Sequence, residues 1–158
     1  MVIYKLAGTA LLVGSGLGSA FLLNRSMSAC LSQVEGFLGL LRQIRVKVEC
    51  FALPISPILA ADPALLRQCG YEEQTPPKSL GALLNGCRIR DGETERLLSG
   101  FAAGFGRGYR EEQLRQCEYY AARLEQRRQE LLSVMPAKKR RNATLCVSGA
   151  LAAVILLL

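Results

Sequence analysis

The chain has 158 residues, a formal net charge of +7 at pH 7, 50% hydrophobic residues and neither histidine nor tryptophan. The absence of histidine excludes Ser-His and Cys-His nucleophile pairs, histidine general bases and histidine metal ligands. The charge is unevenly distributed, because residues 24–141 hold nineteen of the twenty basic residues and all thirteen acidic ones, a formal charge of +6.

Two stretches without charge, Leu6–Leu23 and Ala143–Leu158, lie towards opposite ends of the sequence. As helices they would reach about 27 Å and about 24 Å, close to the ~30 Å hydrocarbon core of a bilayer. They predict an N-terminal transmembrane helix over residues 1–23 and a C-terminal transmembrane helix over residues 142–158. Residues 24–141 between them are predicted to form one small domain.

Basic residues next to the predicted spans indicate which side of the membrane the domain occupies. Arg25 follows the first span, and the basic cluster Lys138, Lys139, Arg140 and Arg141 precedes the second. Because Lys and Arg near span ends are retained in the cytoplasm, we expect a cytoplasmic domain with both termini outside. The basic cluster is predicted to lie at the membrane surface, where anionic headgroups attract each charge by roughly 1 kcal/mol.

Each charge-free stretch has a second interpretation. The first matches a cleaved signal peptide, with small residues at positions 18–20, although it is long for the apolar region of such a peptide. The second matches a buried core helix, although a helix that is apolar on every face and follows a basic cluster favours a membrane anchor.

After the first span, apolar residues recur at steps of three and four from Ser28 onwards, which predicts one face of a helix. This stripe consists of Leu31, Val34, Leu38, Leu41, Ile44, Val48 and Phe51. No proline interrupts residues 24–30, so the span and the amphipathic segment are predicted to form one long helix. Pro54 and Pro57 are predicted to end it.

Capping signals predict a series of short helices in the middle of the domain. Ser56-Pro57 is expected to start a turn of helix over Ile58–Ala61, and Asp62-Pro63 to start another that Gly70 stops. Ser79–Cys87 is predicted as a further short helix. Asp91-Gly92-Glu93-Thr94 is predicted to open the next, whose inner face comprises Leu97, Leu98, Phe101, Ala102 and Phe105.

Glycines at positions 104, 106 and 108 are predicted to break the chain before a long helix over Tyr109–Met135. Its apolar stripe consists of Leu114, Cys117, Ala121, Leu124, Leu131 and Met135, with Arg128 as the break in it. Pro136 and the basic cluster then lead into the second span. The predicted fold class is all-α, with no strand: a small cytoplasmic bundle of about five to six helices, in which the two long helices pair antiparallel, flanked by the two transmembrane helices.

No motif in the sequence predicts catalysis, a cofactor or a metal site. The Gly104–Gly108 segment lacks the Gly-Lys-Ser/Thr ending of a phosphate loop, so it is interpreted as a helix end and turn. Six cysteines without a C-x-x-C pair indicate free thiols. Acidic and arginine residues alternate along the last long helix and predict surface ion pairs at helical spacing. We therefore expect no enzyme, no small-molecule substrate and no nucleic-acid binding, and a small lipid-modifying enzyme is the weaker alternative.

A set of short motifs, taken in their order along the chain, is similar to one protein family. The motifs are Lys5-Leu6-Ala7-Gly8, Phe51-x-x-Pro54-Ile55, Phe101-x-x-x-Phe105-Gly106, Glu112-Gln113, and Gly149 followed after five residues by Ile155-Leu156-Leu157-Leu158. In this arrangement the chain resembles the stage III sporulation protein AB family of endospore-forming bacteria over nearly its full length. It departs from the family pattern at Gly108-Tyr109, where the family has a small residue and Asp, and at Pro136.

The resemblance implies a non-enzymatic membrane scaffold of the channel complex between mother cell and forespore. It also implies a soluble domain similar to that of the platform protein of type II secretion. By that analogy the domain would dock the sporulation ATPase of the same operon family and contact other stage III sporulation channel proteins, in the mother-cell membrane around the forespore. The candidate partner-binding residues are Arg107, Arg110, Gln113, Arg123 and Arg127. The alternative is an unrelated small membrane protein of pore-forming or lipid-interacting type.

Overall fold

The computed structural model describes the backbone of residues 2–51 and 54–157. Within these ranges it describes the side chains of residues 18–149, apart from positions 20, 23, 51 and 143. It also describes the side chain at position 152. The described backbone forms six helices, which confirms the all-α class and the predicted number. They are α1 (Val2–Phe51), α2 (Ile55–Ala60), α3 (Pro63–Gln68), α4 (Leu80–Gly86), α5 (Gly92–Gly104) and α6 (Arg110–Leu157). The described residues form no strand, only a single antiparallel bridge between Tyr71 and Cys87.

The chain divides into two compact units. One comprises Met1–Ala29 with Leu132–Leu158, and the other is Cys30–Leu131. Within the described part of the chain, no helix has an apolar stretch long enough to cross a membrane. Most side chains of the predicted spans, residues 1–23 and 142–158, are not among those that the structure describes. The two spans therefore stay predictions.

Helix α1 runs without interruption from Val2 to Phe51, as the absence of breaking residues predicted. Five residues of the predicted stripe are buried: Val34, Leu38, Leu41, Ile44 and Val48. Leu31 is half-buried, and the side chain of Phe51 lies outside the description. Phe37 and Leu40 are buried as well, so the apolar face of α1 is wider than the stripe.

Two glycines on α1 allow α3 to approach it closely. A Cβ atom on Gly36 would lie 3.0 Å from the backbone carbonyl carbon of Gln68 and 3.1 Å from the amide nitrogen of Cys69. A Cβ on Gly39 would meet only Cδ1 of Leu65, at 3.3 Å. Gly36 therefore faces rigid backbone, whereas Gly39 faces a movable methyl group.

Side-chain caps fix the starts of three short helices, as predicted. In each case a side-chain oxygen accepts a hydrogen bond from a backbone N–H of the first turn. The pairs are Asp62 with Leu65 at 3.0 Å, Ser79 with Ala82 at 3.1 Å and Asp91 with Thr94 at 3.0 Å. Gly70, which was predicted to stop α3, has a φ of +89°.

The predicted start of α2 at Ser56-Pro57 is wrong. The helix begins one residue before Ser56, at Ile55, and its N-cap position is Pro54, which provides no side-chain hydrogen bond. Pro57 is thus in the first turn, where a backbone N–H has no partner within the helix, so the proline ring costs no hydrogen bond there.

The predicted helix end at Met135 is also wrong, because α6 continues from Arg110 to Leu157 with Pro136 inside it. Proline lacks the N–H that would bind the carbonyl four residues earlier, but its fixed φ near −65° is compatible with a helix. The flanking sequence is rich in strong helix formers such as Ala, Lys, Arg and Leu, which favours continuation on both sides.

Helices α5 and α6 complete the core of the Cys30–Leu131 unit. Leu98 and Phe101 of α5 and Cys117 and Leu124 of α6 are buried, and they belong to one cluster with the buried face of α1. Five more predicted inner-face positions pack against this cluster: Leu97, Ala102, Phe105, Leu114 and Ala121. The Phe101 ring lies 4.9 Å from that of Phe105 and 5.5 Å from that of Tyr120, measured between centroids.

One buried polar side chain, Gln33 of α1, fixes two connections that are not helical. Its Nε2 donates to the carbonyl oxygens of Cys69 at 2.8 Å and Arg88 at 3.0 Å. Its Oε1 accepts from the backbone N–H of Arg90 at 3.0 Å. A single amide thus satisfies three backbone groups and links the turn after α3 to the segment before α5.

Candidate functional site

A groove with a volume of 570 Å³ opens beside the core of the Cys30–Leu131 unit. It lies where the C-terminal part of α1 and the start of α2 meet the first turns of α4 and α6 and the end of α5. Its lining includes apolar side chains, Val48, Ile55, Leu80, Ala102 and Phe105, and polar ones, Ser79, Arg110 and Gln113. We call it the α5–α6 groove.

Local backbone chemistry shapes the edge of the α5–α6 groove. Helix α5 ends when the N–H of Phe105 donates to the carbonyl of Phe101 at 2.9 Å. Gly106 follows with a φ of +87°, a left-handed conformation that residues with a Cβ adopt at a cost. Gln113 then closes the turn, because its Nε2 donates to the carbonyl of Gly108 at 2.9 Å. These contacts confirm that the glycine-rich segment is a helix end and turn.

The structure brings some of the predicted partner-binding residues together and separates others. Arg110 and Gln113 line the α5–α6 groove, and Arg107 lies exposed in the turn that forms its edge. The guanidinium of Arg110 also donates to the backbone carbonyl of Glu49. Arg123 is exposed further along α6, where it donates to Gln126 at 3.4 Å.

Arg127, the fifth candidate, is engaged inside the molecule. Its guanidinium makes a bidentate ion pair with Asp91, with Nη2–Oδ1 at 2.7 Å and Nε–Oδ2 at 3.0 Å. The carboxylate of Asp91 is 14% exposed and the side chain of Arg127 is 25% exposed. Glu130, three residues on, accepts a further hydrogen bond from Arg127 at 3.0 Å.

The Asp91 carboxylate combines this ion pair with the capping of α5. It accepts from both the backbone N–H and the hydroxyl of Thr94, at 3.0 Å and 2.6 Å. The hydrogen bonds from Arg127 lower the pKa of Asp91 to about 2, although burial opposes the change, and the bonds from Thr94 add to it. Sequence reasoning found Asp91 as a cap but missed Arg127 as its partner, since a separation of 36 residues leaves no local signal.

The predicted ion pairs along α6 are only partly local. Two join residues three apart on α6, Arg127 with Glu130 and Arg128 with Glu125. Three others cross from α6 to α1: Arg42 with Glu125, Arg45 with Glu118, and Arg128 with Glu35. Arg128, which interrupts the apolar stripe, therefore faces α1. The order of these pairs confirms the predicted antiparallel pairing of the two long helices.

The predicted membrane-surface residues all lie on α6. Lys138, Arg140 and Arg141 are exposed and Lys139 is half-buried. Their position at a membrane surface stays a prediction.

All six cysteines are free thiols. Cys69 and Cys117 are buried, and burial raises the pKa of the Cys117 thiol to about 11. Within the residues that the structure describes, no group of three or more Cys, Asp or Glu side chains is arranged to hold a metal ion. The α5–α6 groove itself combines apolar side chains with the guanidinium of Arg110 and the amide of Gln113. Such a surface suits non-covalent recognition.

Comparison with known proteins gives no match of any of the three kinds. No protein-family model matches the chain. No curated protein matches its sequence, and no solved structure matches its fold.

Proposed function

We propose that this chain is a non-enzymatic membrane scaffold that docks a cytoplasmic ATPase and organises a channel complex between mother cell and forespore. The observation that carries the proposal is the continuity of its two long helices. Both α1 and α6 contribute buried side chains to the Cys30–Leu131 core, and both continue without a break into the segments predicted to span the membrane. Such a chain anchors one helical domain at two points.

The membrane part of the proposal draws support from the surface of the unit formed by Met1–Ala29 and Leu132–Leu158. Its described apolar side chains include Phe21, 65% exposed, and Leu22, 63% exposed. On α6, Leu145 and Val147 are exposed as well. Large apolar side chains on the outside of a helix are stable in contact with lipid tails.

The docking part of the proposal draws support from the α5–α6 groove and from the charge of the domain. The basic excess of residues 24–141 favours an acidic partner surface, and electrostatic attraction raises the rate of encounter. Tyr109, next to the groove, is 90% exposed. Tyr and Arg are the residue types that contribute most often to binding energy at protein interfaces.

Two experiments test the proposal on the full chain. Reporters that are active only outside the cytosol, fused to each terminus, should both be active, and one fused within residues 24–141 should be silent. The detergent-extracted protein should also co-purify with the sporulation ATPase that the resemblance implies as its partner. A silent terminal reporter would overturn the topology, and lack of association under every nucleotide condition would overturn the scaffold role.

A further inference from the structure

We propose that the α5–α6 groove is where the partner binds, and that its ligand is a protein segment carrying an apolar side chain next to acidic residues. This inference rests on the proposed docking function and names the chemistry of the contact. It follows from three observations: the lining of the groove, the charges around it, and the engagement of Arg127 in an ion pair with Asp91.

The lining of the groove fits an apolar anchor. Val48, Ile55, Leu80 and Phe105 contribute side chains to a space of 570 Å³, which lies within the range of about 300–1,000 Å³ of pockets that bury a ligand. Displacing water from such a surface is favourable by about 25 cal/mol per Å² of apolar area. Tyr109, which is exposed, precedes the lining residue Arg110 in the chain and lines the neighbouring depression.

The charges around the groove favour carboxylates on the ligand. Arg110 lines the groove, Arg107 lies in the adjoining turn, and Lys78 precedes the lining residue Ser79. In the described part of the chain none of these three cations forms an ion pair, whereas five other arginines of the domain do: Arg42, Arg45, Arg96, Arg127 and Arg128. Unneutralised cations around an apolar surface attract a partner of opposite charge.

The nearest acidic residues, Glu111 and Glu112, lie beside the groove but do not line it. Glu111 and Glu112 belong to the first turn of α6, where the helix dipole stabilises negative charge. They line a neighbouring depression together with Tyr109, Leu114, Arg115 and Arg110, and Arg110 is thus shared by the depression and the groove. The lining of the α5–α6 groove itself contains Arg110 and no carboxylate.

The rest of the predicted contact face is less suited to a partner. Arg127 is held by Asp91 in a half-buried ion pair. Releasing it for an external carboxylate would leave Asp91 partly buried without its counter-charge, which is unfavourable. Arg123 does not line the groove. The contact is therefore centred on Arg110 and Gln113, which do line it, and on Arg107 in the adjoining turn.

Two glycines provide a matched pair of variants. Gly81 lines the groove, and a Cβ there would meet nothing closer than Oγ of Ser79 at 3.9 Å, so Gly81→Leu fills the groove without a backbone clash. Gly92, at the start of α5, has no atom within 4 Å of its Cβ position and is absent from the groove lining. Gly92→Leu therefore adds the same side chain away from the groove.

The charge contribution is tested by a second matched pair. Arg107→Glu reverses a charge at the edge of the groove, and Arg123→Glu reverses one further along α6. Both side chains are exposed, so neither change is expected to unfold the domain. Protection of the buried thiols of Cys69 and Cys117 from alkylation verifies folding in every variant.

The experiment measures the affinity of the full chain, in detergent micelles, for the purified ATPase. We expect Gly81→Leu and Arg107→Glu each to weaken binding by about tenfold or more, and Gly92→Leu and Arg123→Glu to change it less than about twofold. Wild-type affinity should also fall with added salt.

The outcomes separate the two proposals. If the wild type binds the ATPase, and the single variants Gly81→Leu and Arg107→Glu each bind it as tightly as the wild type, the groove assignment is overturned and the docking function stands. Equal losses in the groove variants and their controls also overturn it. If the wild type does not bind the ATPase, the proposed function fails and the groove assignment fails with it. If the groove variants lose binding only to anionic lipid vesicles, the ligand is a membrane surface and the protein-segment proposal is overturned.

Discussion

Replacing Asp91 with asparagine separates the two roles that this side chain combines. Asparagine caps a helix about as well as aspartate, so the hydrogen bond to Thr94 at the start of α5 is expected to persist. The substitution removes the negative charge that faces Arg127. In this variant the remaining anionic partner of the Arg127 guanidinium is Glu130, whose more exposed carboxylate lies 3.0 Å away. The variant therefore reports on the ion pair between the start of α5 and the middle of α6.

The pKa of Asp91 sets the magnitude. It falls from an ordinary value of 3.8 to about 2, which corresponds to roughly 2 kcal/mol of stabilisation of the charged form in the folded state. Both side chains are less than one-third exposed, so solvent screens this interaction only in part. At neutral pH we expect Asp91→Asn to lower the free energy of unfolding by about 2 kcal/mol, and Asp91→Ala to lower it by about 1 kcal/mol more through loss of the cap.

The same pKa determines the dependence on pH. Because the folded-state pKa lies below the ordinary value, the stabilisation is complete above about pH 5 and is lost as the pH falls towards 2. The wild type should therefore lose about 2 kcal/mol more than Asp91→Asn over this interval.

Unfolding can be followed at two buried thiols. Cys69 and Cys117 are 0% and 1% exposed, so alkylation of the full chain in detergent micelles over a urea series reports opening of the core at neutral pH. Far-ultraviolet circular dichroism serves for the acid series, where thiols react slowly. A difference below about 0.5 kcal/mol at neutral pH would place this ion pair among the ineffective surface pairs and refute the reasoning. Parallel acid curves for the two proteins would refute it as well.

Three further predictions use the same unfolding and alkylation measurements. Gln33→Ala should lower the free energy of unfolding by about 2–4 kcal/mol, because three backbone groups lose their hydrogen-bond partner. Gln43→Ala should lower it by less than about 1 kcal/mol. The reason is that the buried Oε1 of Gln43 has no hydrogen-bond partner in the described part of the chain. Gly36→Ala should cost about 1–3 kcal/mol because its Cβ meets rigid backbone, and Gly39→Ala should be neutral or stabilising by up to about 1 kcal/mol. Equal costs within either pair would contradict these accounts. Cys50, which is exposed, should be alkylated in the folded protein long before the buried thiols, and simultaneous labelling would show that the core is open.

Local signals in the sequence were sufficient for most of the helical architecture. The spacing of apolar residues located the buried face of α1, and the start signals at Asp62 and Asp91 located the starts of α3 and α5, because each signal depends on residues a few positions apart. The two errors concern prolines. Helix α2 has already begun before Pro57, and α6 continues through Pro136. Proline lacks the backbone N–H donor, and its ring crowds the carbonyl four residues earlier, but its fixed φ near −65° is compatible with a helix.

The candidate site was predicted less completely, because it depends on which helices become neighbours. Arg110 and Gln113 were identified on α6, but their position in a groove depends on Val48, Leu80 and Phe105, which come from other parts of the chain. The partner of Arg127 was missed for the same reason. A charge pattern along one helix shows which groups are available for pairing, and only the packing decides whether they pair within the molecule or face a partner.

The ion pairs between α1 and α6 act on the register of these helices rather than on the strength of their association. The side chains of the three pairs are between 30% and 66% exposed, and such pairs contribute about 0–1 kcal/mol each, whereas burying one large apolar side chain contributes about 1.5–3 kcal/mol. Burial in the core therefore holds the helices together. Burial alone tolerates sliding by a turn, because the apolar stripes repeat. The ion pairs add a preference for one register, because a shift of α6 by one turn would take Arg128 away from Glu35.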